Sequence, residues 1–394
     1  MVVSSSRFAS SNFDRPRIIH VLLPRAETLR PVLEYAWNGA AAVGAEVWIP
    51  VPARPVRRPH RWWGRITGRR RYPADLEGAL ERLRPTPRLI PYLPVPGRSL
   101  QSAAAAVALK LRRSNPASPT VLQGSILDEG GYVAVQAGRW MGVPTVAVAH
   151  GSDAARLASP GPYSGPAARG LFAVHWSTRL LAVSNHVARP LRRLGREVEV
   201  VPFAGFADAF PLHPPPPGPP WRLLFVGRVG PAKGFDLLLA ALRLIHRRPW
   251  RLEVIGPAER GYDPIRAIEA SGFPKRVRWS GARPQAEVAE GFRAAHALVL
   301  PSRAEGLGNV AVEAILTGRP ALVSAVGGLV EIPGAIQVRD RHPSAWATAL
   351  SNLMDGLPEW RPEPSRQAVL PLTWERQAPR MEHIYRGLLR SQGM

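Results

Sequence analysis

Short, continuous runs of valine, isoleucine and leucine, separated by helix-length stretches, constrain this chain more than any other feature. In the first half they are "IIHVLL" (18–23), "AEVWIPV" (45–51), "TVAVAH" (145–150) and "LLAVSN" (180–185). Strands that are apolar on both faces and alternate with helices belong in a parallel sheet covered on both sides. After residue 221 the pattern restarts with "RLLFVG" (222–227), "RLEVIG" (251–256), "RVRWSG" (276–281), "ALVLPS" (297–302) and "PALVS" (320–324). Between the two series lies "FADAFPLHPPPPGPPWR", whose prolines from Pro214 to Pro217 lack amide donors and fix φ, so the segment should be extended and stiff.

Two α/β units joined by a proline-rich hinge are therefore expected, and 394 residues is long for one core. The predicted boundaries are a disordered start at 1–15, a Rossmann-like domain at 16–205 and a linker at 206–221. A second Rossmann-like domain follows at 222–372. The closing segment 373–394 spaces Trp374, Met381, Ile384, Tyr385 and Leu388 at helical intervals around Pro379, a kinked amphipathic helix. Two doubly wound domains leave a cleft between their strand ends, which is where ligands bind in open parallel sheets.

Composition removes several classes. The chain has no cysteine, which excludes disulfides, thiolate metal sites and cysteine nucleophiles. No run of about 18 apolar residues occurs, and the beginning lacks the apolar core of a secretory signal, so a cytoplasmic location is expected. Walker A, His-Glu-x-x-His and Gly-x-Ser-x-Gly patterns are absent. The net charge of +23 is almost wholly arginine, with Lys110, Lys233 and Lys275 the only lysines. Anionic company is implied: nucleotide, phospholipid or nucleic acid.

The stretch "PSRAEGLGNVAVEA" (301–314) leaves a strand and enters a helix expected over 309–317. Free amides around Leu307, Gly308, Asn309 and Val310, together with the helix dipole, make an anion site. Glu313, one turn further in, can take a ribose diol, and Glu305 can accept from hydroxyls beyond the phosphates. In "FVGRVGPAKGFDLLLAAL" (225–242), Arg228 and Lys233 lie at the carboxyl end of a strand, where two cations can hold a diphosphate and stabilise it as a leaving group. His150 ends the strand "TVAVA" and faces the crevice. Each has a plain alternative: surface glutamates, a solvated cation pair, a core histidine.

Together these segments resemble the retaining glycosyltransferases of family 4, which have the two-domain GT-B fold. The matching residues are His150 to Asp153, Gly227-Arg228 with Lys233-Gly234, and the Glu305/Glu313 pair; "LAVSNHVARPLRRLG" (181–195) and the closing helix are weaker echoes. The resemblance implies that Arg228 and Lys233 bind the donor diphosphate and Glu313 the ribose. It assigns the donor sugar to Glu305, Gly308 and Asn309, and sets His150 near the anomeric carbon. It implies transfer of a sugar from a nucleoside diphosphate to a saccharide or lipid-linked acceptor hydroxyl, with retention. No cofactor or metal is called for, in line with the absence of Asp-x-Asp.

Three further readings stand beside it. "RPVRRPHRWWGRITGRRRYP" (54–73) combines eight arginines with Trp62 and Trp63, a mixture suited to an anionic membrane surface or to a solvated loop; nucleic acid is not expected. An epimerase or hydrolase on the same fold would need a base in the cleft, for which Asp153 is the candidate. A catalytically silent nucleotide or carbohydrate binder is the alternative from another class.

Overall fold

The protein's structure, a computed structural model, describes residues 17–23, 44–52, 88–92, 95, 97–114, 119–158 and 163–391. The expected disordered start (1–15), most of the loop after the first strand, and the arginine-tryptophan segment 54–73 lie outside the described residues.

Among the described residues the first sheet has seven strands, all parallel, in the order β3-β2-β1-β4-β5-β6-β7. They are β1 (Arg17–Val21), β2 (Glu46–Pro52), β3 (Arg88–Tyr92), β4 (Thr120–Ser125), β5 (Thr145–Ala149), β6 (Arg179–Ala182) and β7 (Glu199–Val200). The second sheet runs β10-β9-β8-β11-β12-β13, also parallel. Its strands are β8 (Trp221–Val226), β9 (Trp250–Ile255), β10 (Val277–Trp279), β11 (Ala297–Leu300), β12 (Ala321–Ser324) and β13 (Ile336–Val338). The apolar runs read from sequence form strands because both faces are covered: β5, β11 and β12 are buried at every residue. Each sheet reverses its strand order once, between β1 and β4 and between β8 and β11, and these switch points open the crevices.

The chain passes between the domains twice, and the two crossings are joined. Ala204 bridges Thr373, its N–H donates to Leu372 O at 2.9 Å, and the Phe203 ring stacks on Trp374 with centroids 4.5 Å apart. The helix Trp374–Arg390 then buries Met381, Tyr385 and Leu388. Tyr385 Oη donates to Gln123 Oε1 on β4 at 2.6 Å and lies 3.3 Å from His20 Nε2 on β1, so this helix returns to the first sheet. Burial pushes the Tyr385 phenol up and keeps it a donor.

The proline run behaves differently from a free hinge. Prolines have no N–H, but their carbonyls remain good acceptors, and the second domain uses them. Arg319, fully buried, donates to His213 O at 3.1 Å, Pro214 O at 2.8 Å, Phe292 O at 3.0 Å and Arg293 O at 3.2 Å. His213 N donates to Thr317 O at 3.2 Å, and Arg366 Nη1 donates to Phe210 O at 2.9 Å. The start of the linker is therefore strapped to the second domain. Burial lowers the Arg319 guanidinium to about 10, so it stays charged at neutral pH. Replacing Arg319 with leucine removes the buried donor that these four carbonyls share and should lower stability by about 3 kcal/mol, read by urea unfolding.

Candidate functional site

The site is built where β8 and β11 exit the second sheet and face the exit of β5. After β8 the chain turns through Gly227 into the tight turn Pro231–Lys233, which points Lys233 back toward the other strand's exit. After β11, Ser302 and Glu305 precede Gly306, Leu307 and Gly308, and the helix Asn309–Leu316 begins. Lys233 Nζ donates to Glu305 Oε1 at 2.5 Å, and Ser302 Oγ donates to the same oxygen at 2.8 Å. The lysine and the carboxylate thus start as an ion pair, both partly buried.

The glycines of this loop answer to two close approaches. A Cβ on Gly306 would overlap the carbonyl oxygen of His150 in the other domain. Gly308 has φ +93°, a backbone conformation that only glycine adopts without strain. These two positions let the loop thread between the domains and still start a helix whose first N–H groups have no intrahelical acceptor.

A cavity of about 240 Å³ lies between the domains at this point. His150, Val183 and Phe203 line it from the first domain; Val226, Gly227, Lys233 and residues 305–310 line it from the second. The sequence-predicted residues His150, Lys233, Glu305, Leu307, Gly308, Asn309 and Val310 therefore meet in one cavity. Arg228 does not line it and is exposed beside it. Glu313 is buried beneath the domain crossing: a Cβ on Gly205 would lie 3.3 Å from its Cγ, and Glu313 is likewise absent from the cavity wall.

Asp153, the candidate base of the epimerase reading, is 2% exposed and committed elsewhere. Its carboxylate accepts from the backbone N–H groups of Gly151 at 2.8 Å, Leu127 at 3.0 Å, Ala154 at 3.0 Å and His150 at 3.1 Å. Both oxygens are engaged in shaping the turn, so the epimerase or hydrolase reading loses its base. Ser302, Val183 and Phe203 escaped sequence reasoning. Ser302, at the last position of the run "ALVLPS", and Val183, within "LLAVSN", carried a local signal, and Phe203 did not.

His150 brings its ring to the cavity with Nε2 buried and without a hydrogen-bond partner among the described residues. Burial holds the imidazole below its ordinary 6.5, with the Asp153 charge opposing more weakly, so the ring is neutral at pH 7. Because the folded-state value is depressed, the unfolded chain takes up this proton first, and stability falls as pH drops below the unfolded value. Imidazole resonances should give His150 a midpoint below 6.5, and His150→Phe should flatten the acid side of the stability profile below that pH.

The fold and the cavity define a class: two Rossmann-like domains of the GT-B fold, with a cleft between them. Residues 220–356, most of the second domain, match the family described as "Glycosyl transferases group 1". Among similar proteins, a D-inositol 3-phosphate glycosyltransferase of Frankia alni is 37% identical over 162 residues, covering 37% of this chain and 40% of that protein. One from Streptosporangium roseum is 35% identical over 185 residues, 42% of each chain. These matches span about two fifths of the relatives' length. Over nearly the whole chain the fold resembles a sucrose-phosphate synthase of Thermosynechococcus elongatus, with TM-score 0.70, 18% identity, and 96% and 100% of the two chains covered. It also resembles Anabaena HepE solved in complex with UDP-glucose, with TM-score 0.70, 14% identity, and 95% and 99% covered.

Proposed function

We propose that this protein is a retaining glycosyltransferase that moves a sugar from a nucleoside-diphosphate donor to an acceptor hydroxyl. The observation that carries the reading is the cavity shared by Lys233, Glu305, the amide-rich start at Leu307–Val310 and, from the other domain, His150. The names of the relatives and the UDP-glucose bound to a protein of the same fold support a nucleotide-sugar donor.

On this reading the donor diphosphate rests against the first turn of the helix Asn309–Leu316 and takes Lys233 from Glu305. Lys233 then neutralises charge as the bond from the anomeric carbon to the leaving phosphate oxygen breaks. Glu305 stays held by Ser302 and turns to the hydroxyls of the donor sugar. His150, neutral and short of one hydrogen-bond partner, takes another sugar hydroxyl near the anomeric carbon. The acceptor attacks from the leaving-group side, its proton passing to the departing diphosphate, which gives retention. Arg228, exposed at the rim, reaches in to the diphosphate as the donor enters, and Glu313 holds the ribose. Amides and cations meet the diphosphate charge without a metal or cofactor.

The acceptor is a saccharide, lipid-linked or other polyol hydroxyl. We place the protein in the cytoplasm and at anionic membrane surfaces through residues 54–73, with no nucleic-acid partner. Among the described residues no helix is long and apolar enough to cross a membrane. Sedimentation with anionic vesicles should fall at high salt and fail with neutral ones; equal recovery with both counts against the docking.

A thermal-shift panel of UDP-, GDP- and ADP-sugars, followed by turnover with the best donor, tests the central reading. Lys233→Ala should lower kcat by about 10²–10³-fold with a smaller change in donor affinity. Glu313→Ala should weaken donor binding by about tenfold. Parental affinity and turnover in both variants would sink the assignment.

A further inference from the structure

We propose that Glu331 is a positioning residue whose carboxylate latches the second domain onto the first and couples the loop at 305–308 to closure of the cleft. Glu331 ends the tight turn Gly327–Glu331 after β12. Its two oxygens reach into the other domain, to the start of the helix Asn185–Arg192. Asn185 N donates to Oε2 at 2.8 Å, Asn185 Nδ2 to the same oxygen at 3.2 Å, and His186 N to Oε1 at 2.7 Å.

The first amides of a helix have no intrahelical acceptor and carry the positive end of its dipole. In this helix they are divided between domains. Val187 N is capped at home by Ser184 Oγ at 3.2 Å, whereas Asn185 and His186 are capped by Glu331. Charge-assisted contacts of this kind are the stronger hydrogen bonds. The contact lies at the surface, and opening the cleft would part both amides from the carboxylate together.

The same turn supports the loop at the site. Gly328 N donates to Glu305 O at 3.0 Å, and a Cβ on Gly327 would overlap that carbonyl. Ser184, beside the latched helix, donates to Gly306 O at 2.6 Å. Glu305 and Gly306 are thus held from one side by the turn that carries Glu331 and from the other by the residue that precedes its target. A shift of the loop on ligand entry cannot leave the latch untouched. The consequence for turnover rests on the transferase reading, whereas the domain contact does not.

The test uses the full chain without ligand, so that it is independent of donor identity. Glu331→Ala should raise amide hydrogen exchange in the peptide spanning Asn185–Val187 by about tenfold and increase the radius of gyration in small-angle scattering. Peptides from the buried strands β5 and β11 should keep their protection. Glu331→Gln, which keeps an acceptor oxygen but loses the charge, should fall between Ala and the parent. Asn185→Asp sets like charges against each other from the opposite domain and should reproduce the opening without touching Glu331. Unchanged exchange and radius in both Glu331→Ala and Asn185→Asp would overturn the proposal. So would exchange that rises equally in β5 and β11, because Glu331 would then support the fold as a whole. With a donor identified, Glu331→Ala should raise KM more than it lowers kcat; the reverse split overturns the coupling to the site.

Discussion

The arrangement depends on one backbone contact between domains. Gly306, at the exit of the second sheet, passes so close to the carbonyl of His150 and to Gly151 that neither glycine has room for a side chain. That approach brings the histidine of one domain and the lysine, carboxylate and helix start of the other to a single cavity. Ser184 fixes it with a hydrogen bond to the Gly306 carbonyl, and Asp153 fixes it from behind by gathering the amides of His150 and Gly151. A larger residue at 306 would push the sheets apart and dissolve the site without altering any side chain that lines it.

Charge is distributed with a logic that the composition hides. The chain is heavily basic, yet acids stand at the points where the structure turns: Glu305 on Lys233, Asp153 on a ring of amides, Glu331 on a helix start. Each carboxylate meets groups that water would otherwise have to satisfy. Glu305 differs from the other two because its partner is a flexible lysine at a cavity wall, a pair that an incoming anion can exchange. The buried Arg319 works in the opposite sense, its cation meeting four backbone carbonyls, among them those of His213 and Pro214 where the proline run begins.

Much of the site was legible because strand exits are local features. "TVAVAH", "ALVLPS" and "RLLFVG" each end in turn residues, and the rule that ligands gather at the exits of parallel strands assigned His150, Glu305 and Lys233 to one crevice. What escaped the sequence was long-range. β4, "TVLQGS", carries glutamine, glycine and serine and reads poorly as a buried strand; its Gln123 is satisfied by Tyr385, 262 positions away. The helical spacing of Glu313 was readable, but its burial under Gly205 was not, since that neighbour belongs to the domain crossing. Asp153 looked like a base because its four amide partners come from a turn and from Leu127, which no local pattern connects.

By itself the sequence determined two parallel α/β domains, the strand ends at which their crevices open, and a helix start after Gly308. These follow from hydrophobic period, turn residues and backbone sterics, which act over a few residues. Tertiary structure alone decided that the proline run is strapped down by Arg319, that Arg228 stays at the rim, and that Glu331 reaches across to the helix at Asn185. Those outcomes depend on which groups distant in the chain arrive close enough to exchange water for each other, and that is fixed only when both sheets are packed.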